Sequence, residues 1–175
     1  MLPSTLKPTF IVPEKATQHS QILTALKKVE SVEVKSSTGY DGERVYVVEA
    51  HEYSSSTSRI LTAAETLPEH NRVAARVERV YSSFDDFRTN VYFSARNAHY
   101  LALCSFCQNV CDEVGSGRHK PGSVLKLLGS DRKTTQTLTK FLNVMLEIAK
   151  CAAETNGCHG ENKVCFLVHE FLFKQ

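Results

Sequence analysis

Ala75–Phe93 reads ARVERVYSSFDDFRTNVYF, and within it the spacing of the apolar residues changes. Val73, just ahead of it, Val77 and Tyr81 recur at even spacing with charges between them, the alternation of a half-buried strand. A turn is expected at Ser82–Ser83. Beyond it Phe84, Phe87, Val91, Ala95, Ala98, Ala102, Phe106 and Val110 recur every three or four residues. That stripe predicts a single helix from about Phe84 to Glu113, about seven turns long. Before this joint the chain reads as strand or loop with one short helix; after it, as helix.

Upstream, residues 1–17 hold Pro3, Pro8 and Pro13 without periodicity, which predicts an extended or disordered lead. Ile22, Leu23 and Leu26 suit a short helix over His19–Lys28. Val29–Lys35 alternates around Val32 and Val34. Ser36–Glu43 is a turn cluster in which Gly39 and Asp41-Gly42 can take positive φ. Arg44–Tyr53 is β-branched and aromatic, and with the preceding strand predicts a hairpin. Ser54–Arg72 reads as a polar surface loop with a helical turn at Leu61–Glu65. Arg72–Tyr81 supplies the third strand that an isolated hairpin needs.

Downstream, Gly115 and Gly117 are expected to stop the long helix. Ser130 or Asp131 can cap the next one, whose inward stripe is Leu138, Phe141, Leu142, Met145, Leu146 and Ala149. Asn156-Gly157 ends it. Lys163–Lys174 predicts a last helix with Val164, Leu167, Val168, Phe171 and Leu172 inward. The class expected is α+β: a three-stranded antiparallel sheet followed by a helical subdomain, one domain over residues 18–175 with a loop insertion at about 54–72.

The chain has 175 residues, 42% of them hydrophobic, and a formal net charge of +2. This is enough for one real core, and it is not the composition of a nucleic-acid-binding polycation. No apolar run approaches the ~18 residues of a membrane span, and the N-terminus does not read as a secretory leader. The six cysteines are therefore expected to be reduced thiols of an intracellular protein.

Arg79–Phe87 (RVYSSFDDF) resembles the Arg-Arg-Tyr-Ser-Asp-Phe segment of phox-homology (PX) domains, the phosphoinositide-binding modules of endosomal proteins. The resemblance covers roughly Val29–Phe173. Three other segments share it: Val29–Val34 with Val45–Ala50 is similar to the first hairpin, Lys126-Leu-Leu-Gly to the exit of the proline-rich loop, and Leu138–Leu146 to a Leu-x-x-Phe-Leu helix. It implies a membrane-targeting module, recruited from the cytoplasm to endosomal-type membranes, with phosphoinositide headgroups and other proteins as partners. It also implies that Tyr81 packs on the inositol ring and that Lys126 meets the 1-phosphate. Two positions depart from the family. Val80 stands where an arginine holds the 3-phosphate, and Thr134 where another meets the ring hydroxyls. Arg79, Arg132 and Lys133 are the nearby replacements. The alternative implied by those departures is a protein-interaction module of the same fold whose lipid site has decayed.

Arg118, Lys120, Lys126, Arg132, Lys133 and Lys140 face a single acid, Asp131, across residues 118–140. With a helix N-terminus at its end, this segment suits a phosphate surface, and Arg118, His119 and Lys120 would form a membrane-facing loop. Arg88, Arg96, Asp85, Asp86, Asp112 and Glu113 read as the solvent face of the long helix.

Cys104, Cys107 and Cys111 fall on one helical stripe, so the first expectation is buried thiols, with no metal and no cofactor. The alternative is tetrahedral zinc held by Cys104, Cys107, Cys158 and His159. Against it, Cys104 and Cys107 lie inside the predicted helix rather than on a turn. Cys158-His159 is not triad geometry, and no nucleophile elbow, phosphate-binding Gly-Lys-Ser/Thr loop, paired-histidine helix or dinucleotide fingerprint occurs, so no enzyme is expected.

Overall fold

The elements run α1 (Pro13–Lys28), β1 (Val29–Thr38), β2 (Arg44–Glu52), β3 (Val73–Arg79), α2 (Tyr81–Arg96), α3 (Ser105–Gly115), α4 (Asp131–Lys150) and α5 (His159–Phe173). The structure, a computed structural model, describes residues 13–39, 42, 44–53, 72–117, 131–153 and 157–174. The strands form one antiparallel sheet in the order β1-β2-β3, so the fold is α+β. The insertion at 54–72 lies, but for Arg72, outside the described residues, as does the turn at Leu61–Glu65.

Register follows the valines. Val34 pairs with Val48, and Val48 with Val77, so three buried side chains form one row across the sheet. A slip of one residue would turn that row to the opposite face, which is why the pairing is specified. At the hairpin, Gly42 takes φ +79°, as its turn position requires, and donates its N–H to the Gly39 carbonyl at 3.0 Å.

The helices cover this face. α4 packs on β1; α5 packs on α1 and α2. Leu138, Phe141, Leu142, Met145, Leu146 and Ala149 are all buried, as their spacing predicts. In α5, Val164, Val168, Phe171 and Leu172 are buried, while Leu167 is half-buried. A chain of rings joins the layers: Tyr46 meets Phe84 at 5.8 Å, Phe84 meets Phe171 at 5.1 Å, and Phe87 stacks on Phe171 at 4.5 Å.

Three expectations change. The extended lead ends earlier, because α1 begins at Pro13; proline is tolerated in a first helical turn, where its missing N–H has no partner to lose. The turn at Ser82–Ser83 is helix: α2 starts at Tyr81, immediately after Val80, whose backbone is extended at φ −80° and ψ 158°. The long helix is two helices, α2 and α3, separated by residues 97–104.

The outer edge of β1 is closed by side chains rather than by a strand. Asn143 on α4 accepts the Val32 N–H at 2.9 Å and donates to the Val32 carbonyl at 2.7 Å. Thr139 accepts the Val34 N–H at 3.0 Å. Two side chains one helical turn apart thus meet the backbone groups of two buried strand residues on the edge away from β2. Replacing Asn143 with leucine keeps the approximate volume but strands both backbone groups of Val32. We expect Asn143→Leu to lower stability by about 1–3 kcal/mol, read from the shift of the denaturant midpoint; a shift near zero would mean that Val32 finds other partners.

Candidate functional site

The break after α2 builds a cluster of reactive side chains. α2 ends at Asn97, whose N–H still reaches the Phe93 carbonyl at 2.9 Å. The chain then leaves the helix. Ala98 is half-buried and Ala102 exposed, so the alanines that suggested continuity do not form a buried stripe. α3 restarts at Ser105 with Cys104 as N-cap, φ −70° and ψ 164°, and the Cys104 Sγ accepts the Cys107 N–H at 3.5 Å.

Cys158 repeats this arrangement at the start of α5, with φ −70° and ψ 165°, its Sγ accepting the Glu161 N–H at 3.3 Å. The two caps meet. Cys158 Sγ lies 3.6 Å from Cys104 Sγ and 3.4 Å from Cys107 Sγ. His99, from the break itself, completes the group: one ligand atom from each of His99, Cys104, Cys107 and Cys158 lies within 4.8 Å of every other. The His99 Nε2 is buried without a hydrogen-bond partner among the described residues. Cys107 is fully buried, and burial, with Cys158 alongside, raises its thiol. Burial also pushes Cys104 upward, but the backbone N–H of Cys107 and the Cys158 sulfur outweigh it, and the net shift is downward. The six cysteines are free. No helix among the described residues is long and apolar enough to cross a membrane.

His159 is not part of this group. It is exposed on the first turn of α5 and lines a surface hollow with Gln18, His19 and Lys163. A residue one step into a helix from its cap is turned by about 100° from the cap's direction, so adjacency to Cys158 carries it away. His99 had a readable signal, His99-x4-Cys104-x2-Cys107, which the apparently continuous alanine stripe concealed.

The residues assigned to a headgroup separate into three sets. Arg79 lies over the Phe171 ring, 5.2 Å from its centroid, and donates to the carbonyls of Phe171 at 3.0 Å and Glu170 at 3.4 Å, and to that of Lys174. It closes the C-terminal end of α5, where a cation complements the helix dipole; burial lowers its pKa. Tyr81 is buried, 8% exposed, with its ring 6.1 Å from that of Tyr46, and burial, helped by Asp85, pushes its hydroxyl up to about 12. Arg118, His119, Lys120 and Lys126 lie outside the described residues. Arg132 and Lys133 are exposed in the first turn of α4, and Thr134 beside them is buried. Arg88, expected on a solvent face, is instead half-buried and donates to the Val114 carbonyl at the end of α3.

Arg132 belongs to an open groove of about 730 Å³ between β1 and α4, lined by Glu33, Val34, Lys35, Ser36, Arg132, Thr135, Gln136, Thr139 and Lys140. Lys35 is held by Glu49 at 2.7 Å and Glu33 at 3.1 Å, contacts that raise its pKa. That ammonium also occupies the only other converging group of candidate ligands among the described residues, Glu33, Glu49 and His51. Arg132 and Lys140 have no ion-pair partner among the described residues. At the N-terminus of α4 the position favoured by the dipole is already taken by a carboxylate, Asp131, which pairs with Arg44 at 2.9 Å.

No family model, curated protein or solved structure matches the chain.

The cluster depends on a close approach at Gly160. A Cβ there would lie 2.7 Å from the Ala98 Cβ, 2.9 Å from the Cys107 Sγ and 2.9 Å from the Ser94 carbonyl oxygen. Two of these are backbone or fixed core atoms, so the start of α5 would have to move. Gly160→Ala is expected to cost about 1–3 kcal/mol despite alanine's higher helix propensity, seen as a lower Tm. An unchanged or raised Tm would show that α5 can shift freely at this contact.

Proposed function

We propose that this chain is a non-catalytic binding module of PX type that engages phosphoinositide headgroups in anionic membranes, with the headgroup seated in the β1–α4 groove. The observation that carries the reading is the pair Arg132 and Lys140 on one side of α4, both in the groove and both without an acidic partner among the described residues. Between them Thr135, Gln136 and Thr139 offer hydroxyl and amide groups, and Ser36 does so from β1. Cations for phosphates and neutral donors for ring hydroxyls are the chemistry that a phosphorylated inositol requires. Lys133 on the same turn adds a further positive charge toward a leaflet, and the sequence ahead of α4 is basic at Arg118, Lys120 and Lys126. The protein would work from the cytoplasm, recruited peripherally to endosomal-type membranes.

This reading relocates the headgroup relative to the family resemblance. Arg79 and Tyr81 are engaged with the end of α5 and with the aromatic core, so the groove residues take their place. A second reading, a protein-interaction module on the same scaffold, draws on that same engagement and on Tyr100 and Leu101, which are 100% and 94% exposed.

Vesicle co-sedimentation at near-physiological salt, across phosphatidylserine and a panel of mono- and poly-phosphorylated phosphoinositides, tests the proposal. Selective retention by phosphoinositide vesicles is expected. Each cation near an anionic surface contributes about 1 kcal/mol, so Arg132→Glu with Lys140→Glu should weaken binding by about thirtyfold or more. Headgroup-selective binding that survives this double reversal would remove the groove from the proposal. Absence of binding to every vesicle would leave the protein-interaction module.

A further inference from the structure

We propose that His99, Cys104, Cys107 and Cys158 hold one structural Zn²⁺ in tetrahedral Cys₃His coordination. A tetrahedral zinc with Zn–S bonds of about 2.3 Å sets its sulfurs about 3.75 Å apart. The observed 3.6 and 3.4 Å separations come within a few tenths of that edge. A disulfide would require about 2.05 Å between one pair, leaving the third sulfur outside. The set therefore has the spacing of ligands around one centre rather than that of a bond between two of them.

Three further observations fit a thiolate-bound metal at this point. The fourth ligand position is met by the imidazole of His99, one nitrogen of which lies within 4.8 Å of the three sulfurs; its buried Nε2 has no hydrogen-bond partner among the described residues, a costly arrangement that a metal bond at that nitrogen would relieve. Two of the three sulfurs are N-caps, each accepting a backbone N–H from its own helix. The N-termini of α3 and α5 therefore both face the cluster, and each presents a partial positive charge of about 0.5. Three thiolates and a neutral imidazole around Zn²⁺ leave a net charge of −1, which two such ends come close to balancing. Finally, Gly160 brings the Cys158 end of α5 against Cys107, so the packing itself requires the ligands to be adjacent.

Thiolate with imidazole in tetrahedral geometry selects zinc over oxygen-preferring cations. With all four positions supplied by protein, the site is closed to substrate, and its role is to tie three segments together: the end of α2, the start of α3 and the start of α5. Binding releases the three thiol protons to solvent, so retention should weaken as pH falls.

The test is cobalt substitution of the full chain, with zinc analysis of the protein as purified. Zinc near one equivalent per chain is expected, along with a Tm that falls on chelation. Co²⁺ should produce tetrahedral ligand-field bands with thiolate charge-transfer absorption, both abolished by one equivalent of Zn²⁺. His99→Ala should retain thiolate charge transfer but alter the ligand-field bands and bind the metal more weakly. His159→Ala and Cys111→Ser should match the parent in both readouts. Should Cys104→Ser or Cys158→Ser fail to fold, the parent and His99→Ala titrations still decide the matter. The proposal is overturned by a folded parent chain that takes up neither Zn²⁺ nor Co²⁺, or by a cobalt spectrum that responds to His159→Ala and ignores His99→Ala.

Discussion

The start of α5 has to lie against both the end of α2 and the first turn of α3, and the helical layer depends on that contact. Gly160 permits it sterically, since any Cβ would meet Ala98, Cys107 and the Ser94 carbonyl at once. Cys158 and Cys104 then face each other across it as paired helix caps. Helix starts carry unsatisfied N–H groups and like partial charges, so bringing two together is unfavourable unless something negative sits between them. The sulfurs supply it. The break in the α2–α3 stripe is thus the feature that lets three helical segments converge, and in forming it delivers His99 to the same point.

At their other ends the helices are closed by arginines. Arg79, the last residue of β3, reaches the carbonyls at the end of α5, and Arg88 of α2 reaches the Val114 carbonyl near the end of α3. Both are partly withdrawn from water, and burial lowers the pKa of each. A guanidinium can satisfy several carbonyls from one planar fork, which suits it to a helix end that lacks its own partners. Arg79 also ties the sheet to the helical layer where the ring chain from Tyr46 through Phe84 to Phe171 already joins them. The segment most suggestive of ligand binding in the sequence is therefore one of the main links between layers.

That division separates what holds the molecule together from what remains available to a partner. Arg79, Arg88 and Tyr81 are committed to internal contacts. On α4, by contrast, one face buries Leu138, Phe141 and Leu142, the adjoining Thr139 and Asn143 pair with β1, and Arg132 and Lys140 remain in the groove alongside. One helix therefore contributes core, sheet edge and a basic surface without an acidic partner among the described residues, through different sides of a single turn pattern.

The elements with a single strong period were legible in the chain itself. Alternation around Val32 and Val34, followed by the β-branched and aromatic run Arg44–Tyr53, indicated the hairpin, and the Leu138–Ala149 stripe indicated α4, because a period of two or of 3.6 records burial on one face directly. The α2–α3 boundary was not, because alanine fits a helix and an irregular turn alike, and Ala98 and Ala102 kept the period without being buried. Three of the four proposed ligands were legible: Cys104, Cys107 and Cys158 could be named from spacing, whereas the alanine stripe concealed the signal of His99 and chain adjacency favoured His159. Its exposure and the convergence of His99 follow from where α5 starts relative to the end of α2, a relation between residues about sixty positions apart that no local pattern encodes. Likewise the arginine and tyrosine of the RVYSSFDDF segment have the composition of a binding motif, and only the packing of α5 beneath them decided that their side chains turn inward. The sequence by itself determined the class, the order of elements and which faces are apolar, because these are local and periodic; the tertiary structure decided which polar groups meet, because that depends on distances set by the whole core.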